Sequence, residues 1–154
     1  MKTKLLPFLA LLPLFAPSFS AATEAPATPI VADDDTPLGE CMDAINKAMR
    51  GMRRKIGEAE NFAECLKAVQ TIQAKSIEAK GYDPVKLAEA EGDEAKAKFR
   101  MEYRMKMHEF LNRSFELEVA LMKGDVEAVG KAYKALVSAK RPAHKAFKAK
   151  TKKD

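Results

Sequence analysis

Between Leu38 and Ile56, the apolar residues Leu38, Met42, Ile45, Met49, Met52 and Ile56 follow one another in steps of four and three. That spacing places all six on one stripe of an α-helix, whereas a strand would scatter them over both faces. The segment therefore predicts an amphipathic helix whose stripe must be buried against other elements. Thr36 followed by Pro37 supplies its N-cap and first turn.

The same logic carries the rest of the chain. Asn61 with Glu64 resembles a capping box and predicts the start of a second helix, with Phe62, Leu66, Val69, Ile72 and Ile77 inward. Gly81 and Pro84 end it. A connection of about 12 residues follows, with room for a short helical turn after Asp83-Pro84. The third helix is predicted from Asp93 to Lys123, stopping at Gly124. Asp125 caps the fourth, with inward positions Val126, Val129, Tyr133, Leu136, Lys140 or Ala143, His144 and Phe147. Strand signals are absent from the sequence. Short turns at 58–61 and 123–125 make their flanking helices antiparallel. The expected class is all-α, an up-down-up-down antiparallel four-helix bundle over residues 36–148.

The third helix carries two apolar stripes. One runs through Phe99, Tyr103, Met107, Phe110, Leu117 and Leu121, the other through Met101, Met105, Phe115, Val119 and Met122. Contact with two neighbouring helices is the expected cause, and a ligand or a dimer contact a less common one.

The chain ends have a different composition. Lys2 and Lys4 precede an apolar run from Leu5 to Phe19, interrupted by Pro7, Pro13 and Pro17 and followed by Ser20, Ala21 and Ala22. Residues 1–22 thus read as a Sec-type secretory signal peptide, and the run falls short of the ~20 residues a spanning helix needs. Export to a periplasm or the exterior follows as the expected address, with no membrane association after cleavage. Residues 23–35 are Ala, Pro, Thr and Asp without an apolar face, and read as a flexible linker. The formal charge is +5, from 27 basic against 22 acidic residues; loss of Lys2 and Lys4 with the signal leaves +3. The excess gathers around Lys140, Arg141 and Lys145 and in a basic tail at 149–154. A helix C-terminus favours such cations, and an acidic redox partner could also dock on them. Neither the address nor any motif suits nucleic-acid binding.

The up-down order brings the first turn or two of helix one beside the last turn of helix four. Met42 and His144 occupy those turns. Singly, Met42 fits a core methionine and His144 a helix-end histidine. Together, a facing thioether and imidazole can fill both axial positions of a haem iron. Phe99, Tyr103 and Met107 of helix three, with Ile72 and Ser76 of helix two, would wall a flat apolar cofactor at that end.

Leu38-Gly-Glu-Cys-Met-Asp-Ala-Ile-Asn-Lys-Ala-Met49 resembles the first helix of the cytochrome b562 family, with Met42 at its axial methionine. Leu136 to His144, with Lys145 and Phe147, is similar to that family's last helix, with His144 at its axial histidine. The resemblance spans about 110 residues, and members of that family are themselves up-down bundles. It implies one non-covalent haem b, iron held by Met42 and His144, and one-electron transfer to a periplasmic redox partner. Ile45, Ile72, Phe99, Tyr103, Met107 and Phe147 would line the haem, and Lys140 would meet a propionate. No Cys-x-x-Cys-His occurs, which excludes covalent c-type attachment. Pro142 and Ala143 depart from the family's pattern: the proline removes a backbone donor and predicts a kink, and the alanine thins one wall.

Two other readings remain open. Met101, Met105 and His108 share a helical face at i, i+4 and i+7, a soft donor set suited to Cu(I) in a haem-free bundle. The bundle could instead serve as an interaction module. Nucleophile triads, paired catalytic carboxylates and phosphate loops are all lacking, so no enzyme is expected. Cys41 and Cys65 should lie ~20 Å apart along the first two helices, beyond the ~7 Å a disulfide can bridge.

Overall fold

The computed structural model describes residues 36–147. The expected signal peptide (1–22), linker (23–35), Lys148 and basic tail (149–154) lie outside those residues. Among the described residues there are four α-helices, two short 3-10 turns and no strand. The helices are α1 (Pro37–Met52), α2 (Phe62–Ala79), α3 (Asp93–Lys123) and α4 (Val126–Phe147).

Local hydrogen bonds explain where the helices begin and stop. Thr36 Oγ1 accepts from the Gly39 N–H at 3.0 Å, with Pro37 in the first turn. Helix α1 ends at Met52, four residues before the last residue of its apolar series. The chain then turns over 53–57, and Ile56 folds back into the core with its N–H on the Met52 carbonyl at 2.9 Å. The capping box expected at Asn61 and Glu64 does not form. A 3-10 turn over Ala59–Asn61 leads directly into α2, and Asn61 Nδ2 donates sideways to Glu58 Oε2 at 2.8 Å. Glu64 pairs with Lys55 across the turn. A second 3-10 turn, Val85–Glu89, follows Pro84 as expected. At the other junction, Gly124 adopts φ 71°, a left-handed conformation natural to glycine, and closes α3. Asp125 Oδ1 then accepts from the Ala128 N–H at 3.0 Å and opens α4.

Helix α1 packs along α2, α2 along α3, and α3 along α4. The α1–α4 approach is much thinner. Tyr133 on α4 reaches across it, its hydroxyl donating to the Met49 carbonyl at 3.0 Å. The main core gathers Met49, Met52, Val69, Ile72, Leu117 and Leu136 with their neighbours. A smaller cluster joins Leu38 and Cys41 of α1, Ala79 of α2, and Tyr103 and Met107 of α3, with Phe147 of α4 packed against it.

Several inward assignments need correction. Ile77 and Val126 are exposed, each near a helix end where the face they occupy points away from the core. On α1 the most deeply buried residue of the first turns is Cys41, not Met42. On α3 the first stripe is buried, with Phe99 half-buried, but the second is exposed rather than buried against a second helix. Met101, Met105, Phe115, Val119 and Met122 all face outward. Helix α4 continues through Pro142 to Phe147, with the proline itself exposed.

Candidate haem-binding end of the bundle

Leu38 and Cys41 set the rotation of α1 by burying their side chains toward the end of α2. Cys41 lies within hydrogen-bond reach of Glu78, and burial together with that carboxylate raises its thiol pKa. Met42 is one residue further on, about 100° around the helix. It sits half-buried at the edge of the α1 stripe, packed against both the main core and the smaller cluster.

Helix α3 supplies the aromatic wall. Tyr103 is buried, and its hydroxyl donates to the Ala79 carbonyl at 2.8 Å, tying α3 to the end of α2. Burial pushes its phenol pKa far upward, so it remains a neutral donor. Phe147, three residues after His144, fits its ring edge-on to both Phe99 and Tyr103, with centroids 5.3 Å apart in each pair. Such geometry favours aromatic pairs beyond the area they bury. These contacts fix the last turn of α4 against α3.

The connection between α2 and α3 closes the same end. Arg100 binds both carboxylate oxygens of Asp83, at 2.9 and 2.8 Å. Lys86 Nζ donates to the Lys145 carbonyl at 3.2 Å, and Leu87 is buried beneath. The last turn of α4 is therefore held from two sides.

The predicted residues divide into three groups. Met42, Tyr103, Met107 and Phe147 meet in or against the smaller cluster, and Phe99 joins through Phe147. Ile45 and Ile72 belong to the main core, which Met42 also touches. His144 and Lys140 are half-buried on α4, where each already engages a neighbour. Ser76 is buried too, but its hydroxyl is used internally, donating to the Ile72 carbonyl at 2.6 Å.

One participant is missing from the sequence reading. Asn46 lies one turn beyond Met42 on α1, and its side-chain oxygen is buried with no hydrogen-bond donor among the described residues. Its sequence signal was a polar residue at i+4 from Met42, between Met42 and Met49. A buried, unanswered carbonyl costs about 1–3 kcal/mol. The chain thus leaves an unsatisfied polar atom one turn from the half-buried methionine.

The two thiols are unbridged and buried in different clusters, Cys41 in the smaller and Cys65 in the main core. Met101, Met105 and His108 lie exposed on the outer face of α3. No helix among the described residues is long and apolar enough to cross a membrane.

No family model matches this chain, and no curated protein matches it.

Proposed function

We propose that the protein is an electron carrier that holds one b-type haem between α1 and α4 of an up-down-up-down bundle, and that it works in the periplasm after export. The antiparallel order is supported by the composition of the smaller cluster, which unites the start of α1, the end of α2, the first half of α3 and the end of α4. The observation that carries the haem reading lies at that end. Met42 and His144 are both half-buried there, on the two helices whose mutual packing is thin. A thioether and an imidazole suit iron, and the wall of Phe99, Tyr103, Met107 and Phe147 suits a flat apolar ring.

In this reading Met42 and His144 would hold the iron through a thioether and an imidazole, and the bound haem would supply electron transfer rather than oxygen chemistry. Phe147 positions His144 by locking the last turn of α4 against Phe99 and Tyr103. Ile45 and Ile72 back the site from the core, keeping water away and favouring a high reduction potential with methionine ligation. Lys140 on α4 would meet a propionate, and the basic C-terminal sequence would offer an electrostatic landing for an acidic redox partner. Bound haem supplies one-electron exchange between ferric and ferrous iron. Titration of the purified protein with haem tests the reading. A Soret band with sharp reduced α and β bands is expected, and both Met42→Ala and His144→Ala should abolish it. An unchanged free-haem spectrum would refute it.

A second reading has one observation in its favour. Met101, Met105 and His108 are accessible to solvent, as a Cu(I) site on α3 would require. Cu(I) binding lost in Met105→Ala, in a protein indifferent to haem, would select it.

A further inference from the structure

We infer that the outer face of α3 is the seam of a parallel two-stranded coiled coil with a second copy of this chain. The inference is independent of the haem reading, because the seam lies opposite the face that α3 turns to the bundle core.

Outward apolar residues on α3 are Met101, Met105, Phe115, Val119 and Met122, with exposures of 59, 64, 44, 49 and 72%. Isolated exposed apolar residues need no explanation, but a continuous row of this length does. His108 and Asn112, also exposed, fill the gap between Met105 and Phe115. The full series then advances from 101 to 122 in steps of four, three, four, three, four and three. That is a heptad repeat held for three repeats, about 33 Å of helix. The inward residues Tyr103, Phe110 and Leu117 repeat every seven residues on the opposite side. One helix therefore carries two seams, and among the described residues only one is buried.

The residues in the seam suggest its occupant. Taking Met105, Asn112 and Val119 as the a positions places Met101, His108, Phe115 and Met122 at d. An asparagine at a single a position is the known device for fixing register in a two-stranded coil, at a cost in stability. Flanking charges choose the orientation. In a parallel pair, each g residue meets the residue five positions further along in the other copy. Arg104 then faces Glu109 of the second copy, and Glu118 faces Lys123. The twofold axis repeats both pairs, and no like charges meet. An antiparallel pair overlaying Met101 on Met122 would also bring Arg104 to Glu118 and Glu102 to Lys123, but it would set Glu109 against Glu116 of the second copy, a like-charge contact that the parallel pair avoids.

Within its own chain Glu109 pairs with Lys106, and Glu118 accepts from Gln73 of α2, so on association each carboxylate would share its present partner with the second copy. Such rim pairs set orientation more than affinity. A copper site would not account for Phe115 and Val119, which offer no donor atom. The acidic row of Glu102, Glu109 and Glu116 beside the seam disfavours an anionic lipid surface.

Sedimentation equilibrium of the purified protein, with a Cu(I) chelator present, tests the association. A concentration-dependent dimer is expected, and Val119→Glu should raise its dissociation constant at least tenfold with helical content unchanged. Met105→Cys tests the orientation, since only the parallel pair sets residue 105 beside itself. Oxidation should give a covalent dimer well above the wild-type level, where Cys41 and Cys65 are buried. A monomer at all concentrations, or a dimer indifferent to Val119→Glu, would overturn the proposal. So would cross-linking only between Met105→Cys and Val119→Cys chains.

Discussion

The two ends of this bundle are built from the same periodic code and finished differently. Around Met52, Val69, Leu117, Val129 and Leu136 all four helices contribute to a deeply buried core, mostly aliphatic with Phe62 and Phe110 among its members. Around Met42 and His144 the packing is aromatic, the α4 residues are only half-buried, and Asn46 keeps an unanswered buried oxygen. One end resembles an ordinary protein interior. The other is organised by specific tethers, namely Tyr103 to the Ala79 carbonyl, Arg100 to Asp83 and Lys86 to the Lys145 carbonyl. A chain that can build the first kind of core has no chemical need for the second. Under the proposed haem reading, that difference is where the cofactor would enter.

Truncation should separate the two ends most strongly. Leu136 is fully buried in the main core, and Leu136→Ala is expected to cost about 2–5 kcal/mol in urea unfolding without haem. His144→Ala under the same conditions should cost less, about 1 kcal/mol, because a half-buried side chain loses its own contact without opening the main core. A comparable loss in both would erase the contrast.

Haem should invert that order. At a free concentration one hundred times its dissociation constant, a ligand bound only by the folded state stabilises by about 2.7 kcal/mol. Wild type should gain this increment in denaturant titrations with haem, whereas His144→Ala and Met42→Ala should not. The third test concerns Asn46. Replacing it with leucine removes a desolvated carbonyl, so Asn46→Leu should stabilise the haem-free protein by about 1 kcal/mol. Destabilisation there would mean that the oxygen is well served.

The smallest expected effect is a pH dependence. Burial raises the pKa of Cys41 and of Cys65 above the ordinary thiol value of about 8.5. Each thiol is neutral when protonated, so its contribution is fully present below the unfolded-state value. It is lost as pH rises toward the raised folded-state value. Unfolding free energy should therefore decline above about pH 8.5. The double variant Cys41→Ala, Cys65→Ala should show a shallower alkaline slope, whatever it loses in absolute stability.

What could be read in advance depended on how local the determining interaction is. The Thr36 cap, the Gly124 stop and the Asp125 cap rest on hydrogen bonds within three or four residues, and each has a direct sequence signature. The Asn61 capping box failed because a 3-10 turn before α2 offered the asparagine another partner, Glu58. Helix rotation was harder to read. Cys41 and Met42 are adjacent and both apolar, and only packing against Ala79 and Glu78 decides which turns inward. Ile77, Val126 and the outer stripe of α3 share one cause: an apolar residue announces that it wants cover, not who supplies it. That Met42, Tyr103, Met107 and Phe147 gather at one end could be read from the order of the helices. Asn46 could not, since its significance lies in a donor that fails to arrive.

Electron paramagnetic resonance of the ferric haem complex tests the central claim most directly, because it reports whether both axial positions are filled by strong ligands. With Met42 and His144 both on iron, wild type should show a low-spin signal alone, and Met42→Ala and His144→Ala should each convert it to high spin. A high-spin wild type, or a low-spin signal that survives either substitution, would contradict the account.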